Sequence, residues 1–298
     1  MIIDSIKISS YAKVNLTLDV LGVRPDGFHA IESVMQSIGL CDAITLTKGL
    51  EPGIGVTCTM PGIPTDERNL VHKAASILLQ ECGVEPALRI DIEKSIPAQA
   101  GLGGGSSNAA AVLIGLTRLL KLAIDHKKLE ELSARVGSDV PFFLTGGTAH
   151  VLGRGEDVRS LPDLQPRWMV IVKPPFGIST AWSYRRIDAM RKQAEVEIAD
   201  PGSASEKLVA CIEKEGCGHL AELLRNDLEA PAIEQHPEIE EIKKSLRANG
   251  AEAALMCGSG SAVFGIFTEE NTASNALEKL SGHGKGFLCA TVARKKLL

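Results

Sequence analysis

The sequence is poor in the features that mark membrane, secreted or nucleic-acid-binding proteins. Aromatic residues make up only 4% of its 298 residues, and no apolar run approaches the ~18 residues of a membrane-spanning helix. The net charge of −5 provides no basic field for nucleic acid or an anionic membrane. The N-terminus lacks the basic segment, apolar stretch and cleavage site of a signal peptide. The sequence therefore predicts a cytoplasmic protein that binds neither nucleic acid nor membrane.

Patterns typical of metal or disulfide chemistry are also missing. The seven cysteines are odd in number and scattered, and no two of them form a C-x-x-C pair. None of the histidines has the spacing of metal ligands. We therefore expect reduced, mostly buried thiols and predict no residue as a metal ligand.

The bulk composition is that of a folded protein with a sizeable core. Hydrophobic residues account for 44% and charged residues for 23% of the chain. Its length exceeds the ~100 to 200 residues of a usual single domain. We predict two α+β domains, an N-terminal one over residues 1–162 and a C-terminal one over residues 163–298.

Alternation and capping signals place the main elements. Residues 14–20 alternate between apolar and polar side chains, which predicts a half-buried strand whose other face carries Lys13 and Asn15. Asp139 lies near the start of a short helix, because the proline two residues later suits a first helical turn. Further strands are predicted over 42–48, 88–94, 168–173, 253–257 and 262–268, helices over 69–83, 107–123, 125–136, 205–226 and 237–249, and a mobile connection or exposed helix over 185–202.

A glycine-rich segment precedes one of these helices. It reads Pro97-Ala98-Gln99-Ala100-Gly101-Leu102-Gly103-Gly104-Gly105-Ser106-Ser107-Asn108. Glycines let successive backbone N–H groups turn toward one anion, and the helix dipole adds to the attraction. The hydroxyls of Ser106 and Ser107 can contact phosphate or Mg²⁺. The segment is not a Walker A loop, because no Lys-Ser or Lys-Thr follows the glycines. It also differs from the dinucleotide-binding fingerprint G-x-G-x-x-G, because Ser106 stands in place of the last glycine. A different phosphate-binding family is therefore indicated.

Three segments together resemble the GHMP kinase superfamily, named for galactokinase, homoserine kinase, mevalonate kinase and phosphomevalonate kinase. Residues 97–111 resemble its ATP-binding motif, residues 12–16 (AKVNL) its first motif, and residues 257–262 (CGSGSA) its C-terminal glycine-rich motif. The resemblance implies a two-domain α+β fold with the active site in the interdomain cleft. It also implies ATP as phosphoryl donor and a requirement for Mg²⁺.

Further segments resemble one branch of this superfamily. They are residues 24–29 (RPDGFH), 101–110 (GLGGGSSNAA), 137–143 (GSDVPFF) and 226–229 (NDLE). Members of that branch phosphorylate the 2-hydroxyl of a cytidine diphosphate derivative of methylerythritol, in the non-mevalonate route to isoprenoid precursors. The resemblance implies the same small-molecule substrate here, bound by a monomer or homodimer.

The resemblance assigns the chemistry to two residues. It makes Asp139 the general base, with Lys13 beside it to keep the carboxylate ionised and to stabilise charge on the acceptor oxygen. Without it, Asp139 is interpreted as a helix cap and Lys13 as a solvated strand residue. Lys94 matches a lysine of the nucleotide site, and the alternative is a strand end in solvent.

The same resemblance assigns the cytidine end of the substrate to Asn15, Phe28 and His29. An aromatic ring supplies a stacking face for cytosine, and an imidazole can hydrogen-bond the base edge. Most relatives carry tyrosine where this chain has Phe28. Tyr184 resembles the second aromatic of the cytosine sandwich, with a core tyrosine as the alternative, and Thr180 resembles a substrate contact.

Three other functions stay open at this point. They are a GHMP kinase for homoserine, mevalonate or a sugar, a non-catalytic ATP-binding regulator, and an RNA-binding module. Asn15, Phe28 and His29 argue against the first, and the pair Lys13 and Asp139 argues against the second. The acidic charge balance counts against the third.

Overall fold

The computed structural model describes residues 4–49, 51–193, 203–214 and 220–294. The chain divides into a first unit, comprising Met1–Ala12, Cys41–Ile96 and Gly103–Thr145, and a second unit, comprising Lys13–Leu40, Pro97–Leu102 and Gly146–Leu298. Strands β1 (Ser5–Val23) and β2 (His29–Lys48) contribute residues to both units. The end of the polar stretch at residues 194–202, Cys217 and His219 lie outside the described residues. The predicted domain boundary after residue 162 stays a prediction.

The first unit is a sheet covered by helices. Its strands are β3 (Gly53–Cys58) and β4 (Ala87–Glu93), which run parallel, and residues 43–48 of β2, which pair antiparallel with β4. Its helices are α1 (Leu70–Glu81), α2 (Gly104–Leu119), α3 (His126–Val136) and α4 (Val140–Thr145). Apolar side chains of α1, α2 and α3 pack on the strands in one core.

Local signals explain where these helices begin. The side chain of Asn69 accepts a hydrogen bond from the N–H of Val71, and that of Asp125 accepts one from Lys128, so both predicted caps are confirmed. The predicted range of α2, residues 107–123, is wrong at both ends. Gly103 has a φ of +69° and lets the helix start at Gly104, so the glycines and serines of the motif form its first turn.

The second unit holds two groups of strands. Residues 17–18 of β1 pair parallel with β8 (Arg225–Asn226), and residues 33–36 of β2 pair antiparallel with β5 (Thr148–Leu152), which also pairs with β6 (Asp157–Ser160). A separate antiparallel sheet has the order β11 (Lys285–Ala290), β7 (Trp168–Lys173), β10 (Val263–Phe267) and β9 (Ala253–Met256).

Helices pack on these strands around a second apolar core. They are α5 (Thr180–Gln193), α6 (Ala204–Glu213), α7 (Leu220–Leu223), α8 (Glu229–Gln235), α9 (Glu238–Ala248) and α10 (Glu270–Lys279), followed by a 3₁₀ turn at Ser281–His283. The helical stretches predicted near residues 205–226 are confirmed as α6 and α7, but the end of that range is wrong, because residues 225–226 form β8. The strand predicted over residues 168–173 is confirmed as β7.

The central part of β1 is buried on both faces, so the prediction of a half-buried strand is wrong. The polar side chains of Asn15, Thr17 and Asp19 are as buried as their apolar neighbours. Hydrogen bonds offset the cost of this burial: the Ser205 hydroxyl at the start of α6 donates to the Asp19 carboxylate and lies 2.7 Å from the Thr17 hydroxyl, and the Ser205 N–H donates to the same Asp19 oxygen. Asn15 is paired as well, whereas the second carboxylate oxygen of Asp19 has no hydrogen-bond partner among the described residues.

Two expectations concern the whole chain. No helix in the described ranges is long and apolar enough to span a membrane. Among the described residues, Cys41, Cys58, Cys82, Cys257 and Cys289 are free thiols, but only Cys257 and Cys289 of these are buried, so the expectation of mostly buried thiols is wrong. Cys211 is disulfide-bonded, so the expectation of reduced thiols is wrong at that position.

Candidate active site

Two glycine-rich segments that are far apart in sequence meet in the second unit. The first is the loop at residues 97–102, and the second is the turn at residues 257–262, which connects β9 and β10. The N–H of Ala262 donates to the Ala100 carbonyl over 3.2 Å, so the turn is hydrogen-bonded to the loop. This contact supports the interpretation of both segments as parts of one site.

Gly101 lies where the loop crosses the turn most closely. Its φ is +75°, and a Cβ atom there would come within 1.8 Å of the Cys257 carbonyl oxygen. The turn is also close to the loop at Gly258, since a Cβ on Gly258 would lie 3.0 Å from the Gly101 carbonyl oxygen. Both the backbone conformation and the space therefore require glycine at position 101.

Lys13 and Asn15 lie against the same loop and turn. The Lys13 N–H donates to the Leu102 carbonyl over 3.1 Å, and the Lys13 ammonium donates to the Asn15 side-chain oxygen over 2.6 Å. A Cβ on Gly258 would be 3.4 Å from Lys13 Nζ. Lys13 is only 4% exposed, so the alternative of a solvated strand residue is wrong.

The thiol of Cys257 in this turn is not a candidate nucleophile. Burial raises its pKa well above the ordinary value, although the neighbouring Lys13 ammonium acts in the opposite direction. A thiol that stays protonated has little nucleophilic character. Cys257 therefore contributes packing and backbone geometry to the turn.

A buried carboxylate, Asp42, organises the start of α2 in the first unit. One oxygen accepts the backbone N–H groups of residues 95 and 96, at 2.7 and 2.8 Å. The other accepts the Lys94 ammonium at 2.5 Å and the Asn108 amide at 2.8 Å. A Cβ on Gly104 would lie 2.8 Å from Lys94 Nζ, which places this ammonium at the first turn of α2. The Lys94 side chain is 5% exposed, so its alternative as a solvated strand end is wrong.

The two serines of the motif differ in what they can offer a ligand. The Ser107 hydroxyl donates to the Tyr11 carbonyl over 2.6 Å and lies 2.7 Å from the Ser10 hydroxyl. Ser107 is buried, whereas Ser106 is half-buried in the same helical turn. The Ser107 hydroxyl therefore ties α2 to β1, and Ser106 is the better candidate for a phosphate contact.

Replacing Asp42 is expected to destabilise the protein strongly. Asp42→Ala leaves the Lys94 ammonium without its carboxylate in a buried place, which typically destabilises a fold by about 3–5 kcal/mol. Urea unfolding measures the loss, and Asp66→Ala, which removes an exposed carboxylate, is the matched control. The double variant Asp42→Ala, Lys94→Met removes the unpaired charge and should recover part of the stability. A decrease of less than about 1 kcal/mol in the free energy of unfolding for Asp42→Ala would mean that the Lys94 ammonium becomes solvated in the variant.

Asp139 also belongs to the first unit. It occupies the turn directly before α4, where the N–H of Val140 donates to the Gly137 carbonyl over 3.2 Å. The residue is half-buried. The predicted position at a helix start is confirmed, and the catalytic role stays a prediction.

The residues predicted for the cytidine end are all in the second unit. The His29 ring stacks on Tyr184, with ring centroids 4.7 Å apart, and His29 Nε2 lies 3.0 Å from each carboxylate oxygen of Asp188. The Phe28 ring is 54% exposed, and the guanidinium of Arg154 lies 5.0 Å from its centroid. Tyr184 is half-buried, and it packs both on the imidazole and against the second apolar core, so the site role and the core role predicted for it both stay open.

Thr180 connects this group to the glycine-rich turn. It begins α5, and its hydroxyl lies 2.8 Å from that of Ser259 in the turn at residues 257–262. Of the two predicted substrate contacts on α5, Thr180 thus lies next to the C-terminal glycine-rich motif and Tyr184 next to the predicted site residue His29.

Sequence reasoning missed three residues that hold the predicted ones in place. Asp188 follows Tyr184 by four positions, so helical spacing alone would have placed both on one face of α5. Arg154 stands between two glycines near a strand end, and Asp42 begins a predicted strand. Neither position carries a signal that predicts its partner.

Comparison with known proteins identifies the family to which this fold belongs. Residues 69–147 match the family model of the GHMP kinases N terminal domain, and residues 208–286 match that of the GHMP kinases C terminal. A mevalonate kinase from L. major, 17% identical, shares the fold with a TM-score of 0.79 over 98% of both chains. The fold and the loop therefore define a GHMP kinase, as predicted.

Relatives with higher sequence identity identify the particular family within the GHMP kinases. The 4-diphosphocytidyl-2-C-methyl-D-erythritol kinase of Geobacter metallireducens is 42% identical over 97% of this chain and 99% of its own length. A crystal structure of 4-(cytidine 5'-diphospho)-2C-methyl-D-erythritol kinase is 33% identical and superposes with a TM-score of 0.78, covering 96% of this chain and 99% of that one. The chain belongs to the 4-diphosphocytidyl-2-C-methyl-D-erythritol kinase family.

Proposed function

We propose that this chain transfers the γ-phosphoryl group of ATP to the 2-hydroxyl of 4-diphosphocytidyl-2-C-methyl-D-erythritol, yielding the 2-phosphate and ADP. The observation that carries the proposal is the 42% identity to a kinase of that name over nearly the full length of both chains. The reaction belongs to the non-mevalonate route to isoprenoid precursors. We also propose a cytoplasmic location and a monomeric or homodimeric state.

The start of α2 and the loop before it suit the phosphates of ATP. The helix begins after Gly103 with no side-chain cap among the described residues, so its first N–H groups are available to an anion. We assign the phosphates to residues 97–107, with Lys94 close to the first helical turn. Mg²⁺ typically takes only one or two protein ligands and binds mainly to the nucleotide's phosphates. When bound, Mg²⁺ would neutralise negative charge on the transferred γ-phosphoryl group.

Asp139 and Lys13 are assigned the proton and charge chemistry. Asp139 would accept the proton of the substrate hydroxyl as the oxygen attacks phosphorus. Lys13 would stabilise negative charge that develops on that oxygen. The hydrogen bond from its ammonium to Asn15, and its burial, hold this charge in one orientation.

The cytidine end of the substrate is assigned to the group around Phe28 and His29. The exposed ring of Phe28 offers a stacking face, and the His29 imidazole offers hydrogen bonds to the base edge. Tyr184 and Thr180 are proposed to contact the substrate from α5, and Asn15 from β1.

A substrate comparison tests this proposal. Phosphorus NMR and a coupled ADP-release assay with Mg-ATP would compare 4-diphosphocytidyl-2-C-methyl-D-erythritol with mevalonate and homoserine. We expect a new phosphomonoester with the cytidyl substrate alone. Turnover of another acceptor would keep the kinase activity and contradict the cytidine site. ATP binding without any turnover would favour a regulator.

A further inference from the structure

Helix α5 presents two side chains, one helical turn apart, to the ring of His29. Tyr184 covers one face of the imidazole, and the Asp188 carboxylate lies 3.0 Å from Nε2 through each of its oxygens. The side chains of His29 and Asp188 are 13% and 32% exposed. The imidazole is thus held by a stack on its face and a carboxylate at one edge.

The carboxylate determines which ring nitrogen carries the proton. An ionised aspartate can only accept hydrogen bonds, so Nε2 must be protonated to bond to it. In the neutral ring, Nδ1 then keeps its lone pair and acts as an acceptor. Within the described part of the chain, both hydrogen bonds of His29 run from Nε2, which leaves Nδ1 as the nitrogen that a ligand can engage.

We propose that Asp188 is a positioning residue that fixes the orientation and tautomer of His29 and thereby makes the site prefer cytosine over uracil. The inference rests on the proposed function, in which His29 meets the base edge. Cytosine presents an exocyclic amino group, which can donate a hydrogen bond to Nδ1. Uracil presents a carbonyl oxygen at the same place, and two acceptors would then face each other with no proton between them.

Binding of free nucleoside diphosphates tests the inference without relying on turnover. We expect the wild-type protein to bind CDP about 10-fold or more tightly than UDP in titration calorimetry, the effect of one mismatched hydrogen bond. Asp188→Leu, which keeps bulk and removes the acceptor, should reduce this ratio to about 2-fold or less. Asp188→Asn retains an acceptor oxygen and should keep part of the preference. Arg185→Ala, at an exposed position of the same helix, is the control and should keep the full ratio.

A spectroscopic measurement separates positioning from a general loss of structure. Nitrogen NMR of the neutral His29 ring, recorded at alkaline pH, should show the proton on Nε2 in the wild type. The Leu variant should show a mixture of tautomers. An unchanged CDP to UDP ratio in the Leu variant, or a wild-type ring protonated on Nδ1, would overturn the role of Asp188 while leaving the kinase assignment intact. A wild-type protein that binds neither nucleotide, or both equally, would overturn the inference together with the cytidine site.

Discussion

The variant Asp139→Asn is expected to lower kcat by about 10²- to 10⁴-fold, the usual contribution of a general base. Asparagine keeps the size of the side chain and cannot take up the proton of the substrate hydroxyl. ATP affinity should be unchanged, because the phosphates are assigned to the loop and to the first turn of α2. Steady-state kinetics and an independent titration with ATP would measure the two quantities separately.

A matched control separates chemistry from folding. Asp125 also precedes a helix of the first unit, and its side chain caps α3. Asparagine is an equally good cap, so Asp125→Asn should change neither stability nor kcat. A variant of Asp139 that keeps nearly full kcat would remove this residue from the role of base. The base would then have to be sought elsewhere on the chain.

Local features of this fold follow from local sequence. The caps at Asn69 and Asp125 were predictable because a side chain that bonds to the backbone two or three residues away needs no tertiary information. The strand β7 was predictable because its apolar run ends at two successive prolines. Family membership was predictable because its motifs lie in separate segments across the whole chain, and the comparisons confirm it.

Features that depend on distant partners were not predictable. The polar side of β1 was expected to face solvent, yet it is buried because Ser205, almost two hundred residues later, supplies its hydrogen bonds. The start of α2 was missed because glycine and serine are weak helix formers, and only the geometry at Gly103 shows where the helix begins. Asp42 and Asp188 are aspartates whose partners lie far away in the sequence. The importance of Asp42 comes from burial and pairing, which no local pattern reports, whereas helical spacing places Asp188 on the same helix face as Tyr184 but does not predict its contact with His29.

Gly101→Ala is expected to be the most damaging single change in the loop. A Cβ atom would lie 1.8 Å from the Cys257 carbonyl oxygen and 2.7 Å from its carbon, so either the loop or the turn must move. Both are backbone segments, and the turn also lies against Lys13 and Asn15. A displacement of about 1 Å in a catalytic group can reduce activity by about 10²-fold. We therefore expect kcat/KM for ATP to fall by about 10²-fold or more, together with a loss of stability.

The φ of +75° complicates this result, because alanine in the left-handed region is itself unfavourable by about 1–2 kcal/mol. Gly62→Ala controls for that contribution, since Gly62 has a φ of +81° and a Cβ there would meet nothing within 4 Å. The Gly62 variant should lose about 1–2 kcal/mol in urea unfolding and keep its activity. The additional loss of stability in the Gly101 variant, compared with the Gly62 variant, then measures the effect of the close contact between loop and turn. Equal losses in the two variants, with full activity in both, would mean that loop and turn can separate without consequence, and the assignment of residues 97–102 to the phosphates would fail.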